Sequence, residues 1–469
     1  MDRLPAELIC LIIQSLSTPS RAAFARCSRR YHDILLPHVY TNVFLDYSGF
    51  NNPSKIRSPS FFNTILRRPE LALAVRSLHL DSWDTESDLD RRTDEQMREI
   101  REAWDHRLFK KIVRDDSRFA HDTQFWLDGV DSCITDIFLA LSMPRFANLR
   151  RLGIEYPYGA ESFNRFVTAG VADVFPHLEE LFISWYDTEN GIDAYRAIPF
   201  FSIPSLIKVS GSMVRGGGAD DTPEKGARLS NVTEIDLDNS AVSDGLSAWV
   251  NLCRELRSFR YMHGGGMISW DDLVPSAFGE TLRAHAASLQ RLWIEIETDE
   301  LENGGVDESE MWIGSLEKYT KLKILGIPPA ILLDMGNVPP GEEATRMLSH
   351  ILPPSLTFLC LTNCPEYELS WLPGQLENML RVKRCPDLKM LVVQTWNTSL
   401  WETALGGVRE LCEEAGVGLR IRTSGYMYTS AWPFYSAAGL EPVDYGDSGD
   451  EGEDVVQLAS AIHDLRARR

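Results

Sequence analysis

One six-residue phrase, apolar-x-x-apolar-x-apolar, recurs down most of the chain and constrains the fold more than any other feature. It stands as Val75, Leu78, Leu80; Leu149, Leu152, Ile154; Leu178, Leu181, Ile183; Val232, Ile235, Leu237; and Leu256, Phe259, Tyr261. It continues as Leu289, Leu292, Ile294; Leu322, Leu325, Ile327; Leu356, Leu359, Leu361; and Leu388, Leu391, Val393. Leu206 and Val209 form a degenerate copy ending on Gly211, and Leu419 with Ile421 form a last one. From Leu149 onward the phrases begin 24 to 34 residues apart. Alternation within each phrase is that of a short strand, and the intervals leave room for helix-length segments such as 243–252 and 374–382. A strand-plus-helix unit cannot bury its apolar side alone, so it must stack on its neighbours. The predicted fold class is therefore α/β, a solenoid with parallel strands over residues 71–425. A doubly wound sheet is the alternative, but it would need fewer and longer strands.

The repeated phrase resembles that of leucine-rich-repeat proteins of the irregular, long-repeat kind, with Asn239 and Asn363 near the place where that family sets an asparagine after the strand. The resemblance implies strands lining a concave wall. Residues alternating with the buried leucines then point out of that wall, because successive strand side chains face opposite sides. Those positions give candidate substrate contacts at Glu180, Phe182, Asp236, Asp238, Arg260, Trp293, Glu295, Gln394 and Trp396, with Ser184, Met262 and Met390 beside them. Phe182, Trp293 and Trp396 are the expected exposed aromatic anchors. The carboxylates among them favour a basic segment on the protein substrate.

Ahead of the repeats, residues 4–40 read LPAELICLIIQSLSTPSRAAFARCSRRYHDILLPHVY. Pro5 opens a helix with Glu7 in its first turn. Leu8, Leu11, Ile12 and Leu16 form one apolar row and Ile9 and Ile13 a second, so more than half the circumference avoids water. One face packs inside the module and the other needs a different chain. Two further helices are expected around Ala22 to Phe24 and Tyr31 to Leu35, the last ended by Pro37. Leu4-Pro5, Glu7-Leu8, Ile12, Leu16, Pro19, Phe24, Cys27, Arg29-Arg30, His32-Asp33, Pro37 and Tyr40 together resemble an F-box. That resemblance implies docking onto the Skp adaptor of an SCF-type cullin-RING ubiquitin ligase, and through it onto a cullin. The expected adaptor-binding residues are Leu4, Pro5, Leu8, Ile12, Leu16 and Phe24, with Cys27 and Tyr31 as internal support.

The domain reading is a helical module at 1–44, a proline-broken connector at 45–70, the solenoid at 71–425, an aromatic cap at 426–443 and an acidic tail at 444–469 that reads as disordered. The solenoid is interrupted at 84–118, where twenty of thirty-five residues are charged and Met97, Ile100, Trp104, Leu108 and Ile112 fall on one helical face. A single long helix lying against the first repeats is expected there. Residues 295–310 carry eight carboxylates and no basic residue and read as an acidic loop.

Charge and chemistry narrow the function. A net charge of -21 repels phosphate backbones and anionic surfaces, so nucleic acid and membrane are not expected partners. No basic leader or membrane-length apolar run appears, which places the protein in the cytoplasm or nucleus. Eight scattered cysteines without a CxxC pair read as reduced core residues, and neither a metal site nor a cofactor is expected. His263-Gly264-Gly265-Gly266 imitates an oxyanion loop, but the GxSxG elbow that such a site requires is missing. The sequence calls for no catalytic residue, and points to a substrate-recognition protein rather than an enzyme. A repeat scaffold without a ligase partner is the alternative.

Overall fold

The computed structural model describes residues 4–16, 18–45, 58–81, 83–89, 92–185, 190–216, 229–241, 245–264, 273–296, 310–335 and 346–423. The expected cap and acidic tail, and most of the acidic loop at 295–310, lie outside them.

Three short helices come first: α1 (Ala6–Gln14), α2 (Thr18–Ala25) and α3 (Arg29–Val39). They close on their own small core of Ile9, Ile13, Ala25, Tyr31 and Leu35. Ser28 caps α3 by accepting the Tyr31 backbone N–H at 3.1 Å. The helix runs two residues past Pro37 rather than stopping there. Proline removes a single N–H, and so close to a helix end that loss does not break the last turn.

Strands follow as β1 (Asn42–Leu45), β2 (Ser77–Leu80), β3 (Arg151–Tyr156), β4 (Glu180–Trp185), β5 (Ile192–Asp193), β6 (Lys208–Ser212) and β7 (Val214–Arg215). The rest are β8 (Glu234–Ser240), β9 (Ser258–His263), β10 (Arg291–Ile296), β11 (Ile324–Ile327), β12 (Phe358–Leu361), β13 (Met390–Thr395) and β14 (Gly418–Thr423). Twelve of them form one sheet in chain order, with β5 and β7 paired separately, and every adjacent pair in the large sheet runs parallel. Each repeated phrase lands on a strand in the expected register. Leu78, Leu152, Leu181, Val209, Ile235, Phe259, Leu292, Leu325, Leu359 and Leu391 stand side by side across the sheet. All are fully or almost fully buried in one continuous core. Fully burying a side chain of this size stabilises by about 1.5 to 3 kcal/mol, so the row dominates the cohesion of the stack.

Asn239 and Asn363 both adopt left-handed backbone angles, with φ of 43° and 49°. Asparagine is among the few non-glycine residues that tolerate this region, which accommodates the bulge in β8 between Leu237 and Ser240 and the bend after β12 at Asn363.

The sequence did not anticipate β1. It begins three residues after α3 ends and pairs with β2, so the helical module joins the sheet without an intervening linker. Arg76 and Ser77 amides both donate to the Thr41 carbonyl, at 2.8 and 3.0 Å, and fix this junction.

After a one-turn helix at Glu86–Leu89, the charged insertion forms two helices, Asp94–Ala103 and His106–Asp115, rather than a single long one. Trp104 is extended between them, and Asp105 starts the second by accepting the Leu108 amide at 3.2 Å. The break lets Trp104 stack on Phe138 at 4.2 Å while Phe109 meets the same ring edge-on at 4.7 Å. Ile100 and Ile112 are buried as the periodicity predicts, and Met97 and Leu108 pack partly buried on the main core. Below these helices Asp136 accepts from Trp83 Nε1 at 2.8 Å and from the Ser162 and Phe163 amides at 2.6 and 3.0 Å. It thereby caps the helix Glu161–Thr168 from inside the core. Burial pushes its carboxyl up to about 6 despite those three donors.

Candidate functional site

Two surfaces carry the expected binding residues. On α1, Ile9 and Ile13 face the module's core, whereas Leu8, Leu11 and Ile12 stand 45%, 59% and 45% exposed. Neighbouring apolar side chains on one short helix, all open to water, need a partner far more than single exposed leucines do. Pro5 is exposed at the head of this face. Leu4, Leu16 and Phe24 are partly buried against the small core and form its margin, with the Phe24 ring 4.7 Å from Tyr31. Leu11 is the most exposed of the row and was not among the expected contacts, although its position in the apolar pattern signals it. Tyr31 is internal as expected, but Cys27 is exposed, because it lies in the turn after α2.

The second surface is the strand-lined wall opposite the leucines. Its central row across neighbouring strands is Phe44, His79, Gly153, Phe182, Ser210, Asp236, Arg260, Trp293, Gly326, Cys360, Val392 and Arg420. Glu180 lies in the row on one side of it. Asp238, Glu295 and Gln394 lie at the next outward positions on the other side. The structure therefore gathers eight of the nine expected substrate contacts on one face. Trp396 is the exception: β13 ends at Thr395, and Trp396 stands 57% exposed just past the strand end.

Three of the expected roles change on this face. Phe182 is 3% exposed and is no surface anchor. Its ring and that of His79 approach to 6.3 Å across Gly153, where any Cβ would collide with the imidazole. Trp293 is half-buried and lies flat over Gly326, and its Nε1 donates to Glu295 at 2.6 Å. Asp236 and Asp238, finally, are matched within the wall. Arg260 pairs with Asp236 at 3.0 Å and approaches the buried Asp238 at 3.7 Å, Lys208 reaches Asp236 at 3.4 Å, and Arg291 reaches Glu234 at 3.4 Å. Burial pushes the Asp236 carboxyl up, but the charges of Arg260 and Lys208 outweigh it and leave the group below its ordinary value. Burial likewise works against the Arg260 charge and is outweighed by Asp236, Asp238 and Glu295. Acids already held this way offer little to an incoming basic segment.

The motifs that imitate chemistry have structural occupations. His263 Nδ1 lies 2.9 Å from the Tyr261 hydroxyl, which donates to the Ser240 carbonyl at 2.9 Å. Gly265 and Gly266 lie outside the described residues. Six of the eight cysteines are buried and all eight are free thiols. Burial pushes the Cys253 thiol up to about 12 and that of Cys385 to about 11, far from the thiolate that nucleophilic chemistry requires. Among the described residues no cluster of His, Cys, Asp and Glu could hold a metal ion, and no helix is long and apolar enough to cross a membrane.

Comparison with known families agrees with this geometry. A family model described as a leucine-rich repeat domain matches residues 160–424, and one described as an F-box domain matches residues 1–38. No curated protein matches the chain. With more than half its length matched, the chain belongs to the leucine-rich-repeat family and carries an F-box domain ahead of its repeats.

Proposed function

We propose that this protein is a substrate-recognition subunit of an SCF-type cullin-RING ubiquitin ligase. The exposed face of α1 docks the Skp adaptor, and the strand-lined wall takes a protein substrate. The observation that carries the reading is the division of α1 into a buried row, Ile9 and Ile13, and an open row, Leu8, Leu11 and Ile12, within the F-box match. Such a receptor performs no chemistry; it contributes proximity, bringing the substrate to a ubiquitin-loaded enzyme recruited elsewhere in the complex. Continuity from α3 into β1 suits that role, because a rigid junction fixes the distance from adaptor to bound substrate. Residues 1–41 form the docking part in this reading and β1 to β14 the recognition part.

Copurification from cells tests it. Wild-type protein should bring down the Skp adaptor, and Leu8→Asp with Leu11→Asp should lose it while the melting temperature of the repeats is unchanged. Absence of the adaptor from the wild-type pull-down, or equal recovery with the variant, would leave a repeat scaffold without a ligase partner.

A further inference from the structure

The strand-lined wall is not uniform along its length. Between β3 and β10 its outward positions hold six carboxylates (Glu155, Glu180, Glu234, Asp236, Asp238, Glu295) and four cations (Arg151, Lys208, Arg260, Arg291). From β11 to β14 the outward positions are Ile324, Gly326, Phe358, Cys360, Met390, Val392, Gln394, Gly418, Arg420 and Arg422, with no carboxylate among them; Gly326, Cys360 and Val392 in the central row are buried, and the side chains flanking them are the partly open ones. Ile324, Phe358 and Met390 are direct ladder neighbours and all half-buried, so they form one apolar strip.

Trp293 extends that strip by one strand. Its ring lies over Gly326 and comes within 6.3 Å of the Phe358 ring. Met390 reclines in the same way toward Gly418, where an added Cβ would stand 2.9 Å from its Cε. The two glycines thus let large side chains lie along the wall instead of standing on it. The strip ends beside Arg420, which is half-buried and makes no ion pair among the described residues. In a chain of net charge -21, a wall segment that is apolar, free of acids and bounded by arginine is a departure that the stability of the repeats does not require.

We infer that β10 to β14 form the substrate-reading surface and that the segment they read is apolar with an acidic residue at one end. The inference rests on the receptor reading above and goes beyond it in naming the substrate's chemistry. Desolvated aromatic and methionine contacts supply the binding energy, while Arg420 pairs with the carboxylate and fixes the direction in which the segment lies. Neighbouring strands are about 4.8 Å apart, so the path from Trp293 on β10 to Arg420 on β14 is roughly 19 Å. An extended segment covers that in about six residues. The carboxylate should therefore stand about five or six residues from the apolar residue that meets Trp293.

Selection from a random twelve-residue peptide display library against the full chain tests this. Enriched peptides should combine aromatic or large aliphatic residues with Asp or Glu at that separation. Arg420→Glu, a charge reversal outside the buried core, should weaken a selected synthetic peptide at least tenfold at low salt and much less at high salt. Phe358→Ser should abolish its binding. Failure to enrich any peptide, a basic consensus, or binding indifferent to both changes overturns the inference. Binding that appears only after Tyr426, Trp432 and Phe434 are replaced by serine would assign the strip to this chain's own C-terminal residues and overturn it as well. None of these outcomes touches adaptor copurification, so the two claims fail separately.

Discussion

A Cβ added to Gly326 would stand 2.7 Å from Cε2 of the Trp293 indole on the neighbouring strand. That distance is well inside contact, so the flat ring and the bare glycine are a matched pair. Gly326→Ala should force the indole up from the wall, break its 2.6 Å hydrogen bond to Glu295 and cost about 1 to 3 kcal/mol. The cost should nearly vanish when Trp293→Ala is already present, which a double-mutant cycle in urea would read. Equal cost in both backgrounds would place the strain in the backbone rather than in the ring.

Core and wall positions on one strand should respond very differently. Leu325 is fully buried in the leucine row, and Leu325→Ala should cost about 2 to 5 kcal/mol through lost contacts and the cavity left behind. Lys323, exposed just ahead of the same strand, should tolerate alanine within about 0.5 kcal/mol. Denaturant midpoints would compare the two, and an unchanged midpoint for Leu325→Ala would mean that the stack does not depend on this row.

How far the fold was legible depended on whether a signal repeated. Leucine phrases gave strand positions, register and parallel order because burial recurs at the same place in each repeat. β1 was illegible because Asn42-Val43-Phe44-Leu45 is a short strand without the phrase. The break at Trp104 was hidden since the helical periodicity continues on both sides of it, and only tertiary stacking on Phe138 interrupts the backbone. Orientation of the wall aromatics was readable in principle. Aligned by their leucines, the phrases set Trp293 beside Gly326, and His79 and Phe182 on either side of Gly153. A large ring next to a glycine reclines. Each strand taken by itself leaves the rings standing and Phe182 exposed, whereas the structure buries it. On α1 the two apolar rows were legible, but Leu11 was left out of the expected contacts although it stands in the outward row.

Asp136 makes stability depend on pH in a direction opposite to that of an ordinary salt-bridged acid. Its folded value is raised to about 6 from an ordinary 3.8, chiefly by burial. The stabilisation is therefore complete below about 4 and is lost as pH rises through about 6, amounting to about 3 kcal/mol at roughly 1.4 kcal/mol per unit. Asp136→Asn removes this titration and also sets an amide N–H against Trp83 Nε1. Its deficit relative to wild type should be largest near pH 4 and should shrink above pH 6. Chemical denaturation of both proteins across that range measures the difference, and a deficit that grows with pH would contradict the assignment.

Arg260 distinguishes a wall held together by its own charges from one that offers them to a ligand. Its guanidinium lies 3.0 Å from Asp236 and 3.7 Å from Asp238, with all three side chains largely buried. Removing the cation leaves two poorly solvated carboxylates with only Lys208, 3.4 Å from Asp236, to balance them, whereas removing all three leaves Lys208 alone, whose flexible ammonium can turn to water. Arg260→Met should therefore destabilise by about 3 to 5 kcal/mol, and adding Asp236→Leu and Asp238→Leu should recover most of that loss. Peptides selected on β10 to β14 should still bind the triple variant, because their contacts lie beyond this cluster. If Arg260→Met instead left the unfolding midpoint unchanged and abolished peptide binding, Arg260 would be a ligand contact, and the reading surface would have to be moved toward β8 and β9.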